Sequence, residues 1–200
     1  MTPRRRLVLA SASPARLRLL TEAGFAPEVL VSGVDEQSIA APSLPELVVA
    51  LAEEKAGVVA TLPEAAGAVV VGCDSLLDVD GEIHGKPVSV DHARLRLRRL
   101  RGRSAILRTG HCVVDTTTGR RSADVASTEV FFGEYTDDEL EAYLATGEAM
   151  QVAGSFTLDG RSAPFLEGIA GDHGNVIGLS LPLFRRLLAD LDLTVMDLWA

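Results

Sequence analysis

Apolar positions along the chain follow two rhythms that alternate. Short apolar runs at Arg6–Ala10, Glu28–Ser32, Ala68–Cys73, Ile106–Asp115 and Asp124–Phe132 read as strands. The third, "AVVVGC", is continuously apolar and rich in valine, the pattern of a strand covered on both faces. Between these runs the spacing becomes helical. Ser43-Leu44-Pro45-Glu46 is a capping box with an early proline, and it opens a helix through "ELVVALAEEKAGVVA". Thr136-Asp137-Asp138-Glu139 is a second box, for a helix that stops near Gly147. "HARLRLRRL" sets Ala93, Leu97 and Leu100 on one face, and "PLFRRLLADL" predicts a C-terminal helix. Near the start, Ser13 fits a cap and Pro14 the first helical position. Leu17, Leu20 and Ala23 form the expected stripe, and Gly24 is the stop. Asp80-Gly81 signals a tight hairpin, and "DTTTGRRS" a second turn. Strands alternating with helices predict an α/β fold with a mixed sheet.

Composition narrows the function classes. The 200 residues suit one domain with room for two lobes. A net charge of -9 argues against a nucleic-acid polymer or an anionic membrane as partner. A small basic pocket for a phosphorylated metabolite remains open. Cys73 and Cys112 each lie in an apolar run, with no disulfide framework and no metal spacing. Three arginines precede an apolar run of only Leu7 to Ala10, too short for a signal peptide, and no stretch approaches 18 apolar residues. The expectation is a soluble, cytoplasmic protein.

Several residues bear chemistry. Asp74 is expected just past the end of the buried strand, where ligand sites of open α/β sheets lie. A carboxylate there either starts a turn or holds a cation and takes a proton from water. In "HGKP" the proline biases Lys86 to an extended conformation; the side chain is either a solvated turn lysine or a phosphate contact. Glu36, in "GVDEQ", is either solvated or a second oxygen ligand for Mg²⁺. Lys55 sits beside an apolar helical stripe, where snorkelling is the plain expectation. Ser13 to Arg16 joins a helix start to a planar cation, which describes a cap and an anion site equally. The run "RLRLRRLRGR" has leucines at core spacing and reads as a solvated helix face.

The order of the segments says more than any one of them. "LVLASASPARLRLL", "SGVDE", "LAEEKA", "VVGCDS", "HGKP", "RTGHCVV", "TEVFF", "ELEAYLATGE", "VAGSF" and "GNVIGLSLPLF" together resemble the Maf family of nucleoside triphosphate pyrophosphatases, historically linked to septum formation. The likeness runs from about Leu7 to Leu188. It implies a Maf/ITPase-like α/β fold, a mixed twisted sheet with flanking helices and two lobes around a cleft. It implies metal-dependent hydrolysis of a nucleoside triphosphate between the α- and β-phosphates, in a house-cleaning or cell-division role, and it leaves room for a homodimer. The cofactor implied is a divalent cation, Mg²⁺ or Mn²⁺. The likeness carries the catalytic aspartate onto Asp74 and the phosphate-binding residues onto Ser13, Arg16, Lys55 and Lys86, with Lys86 in the catalytic set. It carries a motif glutamate onto Glu36, which joins Asp74 as a metal ligand. A different class, a non-catalytic nucleotide-binding regulator of cell division, would bind nucleotide without turning it over.

The chain departs from the pyrimidine-selective branch that it resembles. That branch carries Arg at Ala15, Thr at Ser75, Gln at Asp159 and, usually, Lys at Val152. Ser75 and Asp159 are thus expected to contact the substrate, with a weakened preference for dTTP and UTP.

Overall fold

A computed structural model describes residues 4–200. In chain order the elements are β1 (Leu7–Leu9), α1 (Pro14–Glu22), β2 (Glu28–Val29), α2 (Leu44–Ala60), β3 (Val69–Val79), β4 (Glu82–His84), α3 (Val90–Leu100), β5 (Ser104–Asp115), β6 (Arg121–Phe132), α4 (Asp137–Ala145), β7 (Leu166–Ala170), α5 (His173–Ile177) and α6 (Leu181–Asp190). The strands form one sheet in the order β2-β1-β3-β5-β6-β7, with β4 paired to β3 off that path. β1 runs parallel to both β2 and β3, whereas β3/β4 and β6/β7 are antiparallel. The fold is therefore α/β with a mixed sheet, as the alternation of rhythms predicted. Among the described residues no helix is long and apolar enough to cross a membrane.

The chain divides into two compact units. The first comprises the chain up to Asp74, Thr109–Ala126 and Gly178–Ala200. Its parallel strands alternate their side chains between two faces. Val8, Ala10, Val70, Cys112 and Val114 pack with Ala52, Ala56 and Val59 of α2. Two glycines let α2 lie directly on the strands. A Cβ on Gly72 would sit 2.5 Å from the Ala52 carbonyl oxygen, and one on Gly110 would overlap the backbone of Val48. Leu7, Leu9, Val69 and Val71 point the other way and are also buried, as are Leu19, Leu20, Leu183, Phe184 and Leu187 of α1 and α6. Buried His111 accepts from the Ser180 N–H at Nε2 (2.8 Å) and so donates from Nδ1 to the Thr109 carbonyl (3.0 Å). Those two bonds fix a neutral tautomer at the start of α6.

The second unit comprises Ser75–Arg108 and Ser127–Ile177. α3 buries Ala93, Leu97 and Leu100, the three positions its periodicity selected. They meet Leu77, Val79, Val130 and Phe132 from the strands and Leu140, Tyr143 and Leu144 from α4. The β3–β4 hairpin turns at Asp80 and Gly81, both with positive φ (54° and 85°), as a two-residue primed turn requires. Thr136 and Glu139 close a complete capping box on α4.

Two expectations need correction. β3 does not stop at Cys73. It continues to Val79, and Asp74 and Ser75 lie inside it. Leu77 and Val79 keep the inward alternation and pair with His84 and Glu82, so the ladder carries on past the polar pair. In α1 the buried face is Arg16, Leu19 and Leu20, not Leu17, Leu20 and Ala23. The helix is rotated towards Arg16 because that guanidinium has a buried acceptor, described next.

Candidate active site

In the first unit, a charged cluster gathers where β1 and β3 meet α1 and α2. Ser13 caps α1 by accepting from the Arg16 N–H at 3.4 Å. Ser11 Oγ accepts from the Ser13 N–H (3.2 Å) and from Arg16 Nη1 (3.0 Å). Arg16 Nε donates to the Gly178 carbonyl at 2.7 Å. Gly178 has φ +133°, and a Cβ there would stand 3.3 Å from Arg16 Nε, so a glycine suits both the backbone and the approach. The cation is thus buried and aimed by residues far away in sequence.

Lys55 is also buried, and it does not snorkel. Its Nζ lies 2.6 Å from Asp74 Oδ1 and 2.6 Å from Glu36 Oε1. The close approach of α2 at Gly72 explains the first contact: Gly72 and Asp74 share a face of β3, and the helix that touches Gly72 carries Lys55 three residues after Ala52. Glu36 opens a single 3-10 turn, Glu36–Ser38, whose cap is Asp35 accepting from the Gln37 N–H at 3.2 Å. Asp74 is 7% exposed. Burial pushes its carboxyl above the usual aspartate value, and Glu36 adds to the rise; Lys55 and Arg16 oppose it without cancelling it. Two cations and two carboxylates therefore interact around Asp74.

The family model for Maf-like proteins matches residues 6–191, nearly the whole chain. The chain belongs to the Maf family. It is similar to a Streptomyces coelicolor protein named nucleoside triphosphate pyrophosphatase, 64% identical over 99% of this chain and 96% of that one. A Salinispora tropica protein of the same name is 54% identical, covering 98% and 88%. A Nocardia farcinica protein, again so named, is 50% identical, covering 96% of each chain.

In this Maf-family chain the other expected site residues belong to the second unit. Ser75 follows Asp74 in β3. Lys86 is exposed on the loop after β4, and Asp159 is exposed on the loop ahead of Ser162. Sequence reasoning passed over Gly72, Gly110 and Gly178. The signal for the first two was present: a glycine inside an apolar strand marks a close backbone approach. It also passed over Ser11, which aims Arg16.

Proposed function

We propose that the chain hydrolyses nucleoside triphosphates between the α- and β-phosphates, releasing a nucleoside monophosphate and pyrophosphate. The observation that carries this is Lys55 Nζ held at 2.6 Å by both buried Asp74 and exposed Glu36, with buried Arg16 close enough to act on Asp74. The printed names of the relatives support the same reading.

Asp74 is the base. Its burial raises proton affinity above that of an ordinary aspartate, while Lys55 and Arg16 favour the charged form that accepts a proton. A water oxygen bonds to the α-phosphorus and gives a proton to Asp74. The bridging bond breaks, and its electron pair leaves with pyrophosphate. Ser13, Arg16 and Lys55 bind phosphate oxygens, aided by the N–H groups opening α1. Lys86 supplies a further phosphate contact, and Ser75 and Asp159 contact the substrate.

Glu36 and Asp74 also fit a divalent cation. Each brings one oxygen within 2.6 Å of Lys55 Nζ, so the two carboxylates stand side by side, and Mg²⁺ takes one or two carboxylates with substrate phosphates. When bound, such an ion offsets charge on the phosphate oxygens.

The test is product analysis with purified protein, nucleoside triphosphates, and Mg²⁺ or Mn²⁺. Pyrophosphate and monophosphate should appear, stop with a chelator and return with added metal. In ¹⁸O-water the label should enter the monophosphate. Triphosphate binding with no monophosphate formed would overturn the catalytic reading and favour a regulator.

A further inference from the structure

The arginines of α3 and the turn after it are mostly surface charges with carboxylate partners. Arg94 pairs with Asp91 and Glu141, Arg98 and Arg101 with Asp137, and Arg99 and Arg103 with Asp80. Arg96 behaves differently. It is half-buried, and among the described residues no carboxylate lies within ion-pair distance of it. Burial lowers it from the usual arginine value, and no neighbouring charge is there to oppose that. Its Nε is buried without a hydrogen-bond partner. Placing a guanidinium this way is costly, so what it holds matters.

Arg96 Nη1 donates to two loops at once. One acceptor is the Gly85 carbonyl at 2.8 Å; the other is Ser155 Oγ at 3.0 Å. The Gly85 carbonyl also accepts from the Gly154 N–H at 3.4 Å, so the two loops touch directly beneath the guanidinium. The 152–156 segment is strained. Gly154 has φ +75°, and Ser155, fully buried, has φ +68°, a region that residues with a side chain rarely enter. Tyr143 Oη donates to the Ser155 carbonyl at 3.2 Å, and Arg96 holds its hydroxyl. A Cβ on Gly154 would meet Leu77 and Phe156 at 2.9 Å, so a glycine suits the position on both backbone and space. On the other loop, Lys86 sits between the tethered Gly85 and buried Pro87, whose ring fixes φ.

We propose that Arg96 is a positioning residue: it locks the turn carrying Lys86 to the 152–156 segment and so sets where the lysine ammonium meets the substrate's phosphates. The inference rests on Lys86 being a phosphate contact, as read above. Arg96 acts through Lys86 and does not itself touch the reacting atoms. Lysine in its place would keep the charge but not the fixed planar geometry that aims both N–H bonds of Nη1 at their acceptors.

The experiment combines hydrogen exchange and kinetics on Arg96→Met, Arg96→Lys and Ser155→Ala. In Arg96→Met, amide exchange at residues 84–86 and 152–156 should rise about tenfold, the scale of one lost charged hydrogen bond, with α2 and β1 unchanged. KM for a nucleoside triphosphate should rise about tenfold while kcat changes by less than about threefold, the split expected of lost binding. Arg96→Lys should fall between wild type and Arg96→Met. Ser155→Ala, which keeps the guanidinium, should loosen 152–156 and serves if Arg96→Met does not fold. Lys86→Ala should cost much less in the Arg96→Met background than in wild type, because both changes remove one interaction. Unchanged exchange in the two loops, an unchanged KM, or additive effects of Arg96 and Lys86 would each overturn the proposal. A wild-type chain with no turnover would overturn the proposed activity instead, and the lock would then be judged on exchange alone.

Discussion

The two units handle charge in opposite ways. In the first, Arg16, Lys55 and Asp74 are buried, and each is reached by partners distant in sequence. In the second, the charges of α3 other than Arg96 lie towards the surface, with Arg94, Arg98 and Arg99 paired to Glu141, Asp137 and Asp80. Surface pairs give little stability and are screened by salt. Buried charges cost desolvation and persist only where their partners are well placed. The first unit therefore concentrates buried charge, Asp115 included, whereas the ion pairs around α3 in the second are mostly solvated.

The sharpest way to test that contrast is to neutralise one buried carboxylate. Asp74→Asn is expected to lose about 10²–10⁴-fold in turnover, the usual range for general-base help. Its melting temperature, measured with chelator present, should be no lower than wild type. Burial already outweighs the attraction of Lys55 and Arg16 for the aspartate charge, and Lys55 keeps Glu36. Near wild-type turnover would move the base elsewhere, with Glu36 the first candidate.

The thiols of the first unit test its dryness. Burial pushes Cys73 up to about 11 and Cys112 up to about 12. At pH 8 alkylation by iodoacetamide should be slower than in urea-unfolded chain by about 100-fold or more, following the thiolate fraction. Above pH 9 the unfolded thiols ionise and the native ones do not, so stability should fall as pH rises through about 9 to 11. Rapid labelling of the native chain would show that the strands open readily.

Gly72→Ala should destabilise by about 1–3 kcal/mol in chemical denaturation, because the added methyl meets the α2 backbone. Gly168→Ala in β7 is the matched control, with open space around the added Cβ. Equal stability of the two would mean α2 can shift off the sheet.

Asp159→Gln carries the comparison to an exposed carboxylate. An ionised Asp159 offers only acceptors, which disfavours the carbonyls of uracil and thymine and favours bases bearing amino groups. The change to Gln should move the UTP-to-CTP ratio of kcat/KM towards UTP by about tenfold. A wild-type chain already preferring dTTP and UTP by more than about 100-fold would overturn this reading. The smallest effect is expected at Arg94→Gln, on the surface of α3. The denaturation midpoint should be unmoved within error at 0.5 M salt; a clear loss would mean these surface pairs act as a network.

What the sequence shows clearly is local. Capping at Ser13, Ser43 and Thr136, the Asp80-Gly81 turn and the inward face of α3 all follow from neighbours in the chain, and all are present. The family likeness, read over about Leu7–Leu188, agrees with the matched span 6–191. What the sequence hides is set by distant partners. The face of α1 depends on a carbonyl 162 residues away, and the fate of Lys55 on carboxylates from two other segments. The polar pair Asp74-Ser75 looked like a strand end because the hairpin partner that extends β3 comes later in the chain. Glu36 and Asp74, expected together as metal ligands, both lie 2.6 Å from the ammonium of Lys55, a contact the sequence did not suggest.

The chain holds only two lysines, Lys55 and Lys86. One is buried and held by two carboxylates, and the other stands in solvent. An acylating ester added to the native protein should therefore mark one side-chain amine, at Lys86, apart from the chain's own terminus. A bound triphosphate that engages that ammonium should shield it, so a single mass shift in one peptide becomes a footprint of occupancy. The scarcity of lysine turns an ordinary surface reagent into a site-selective label.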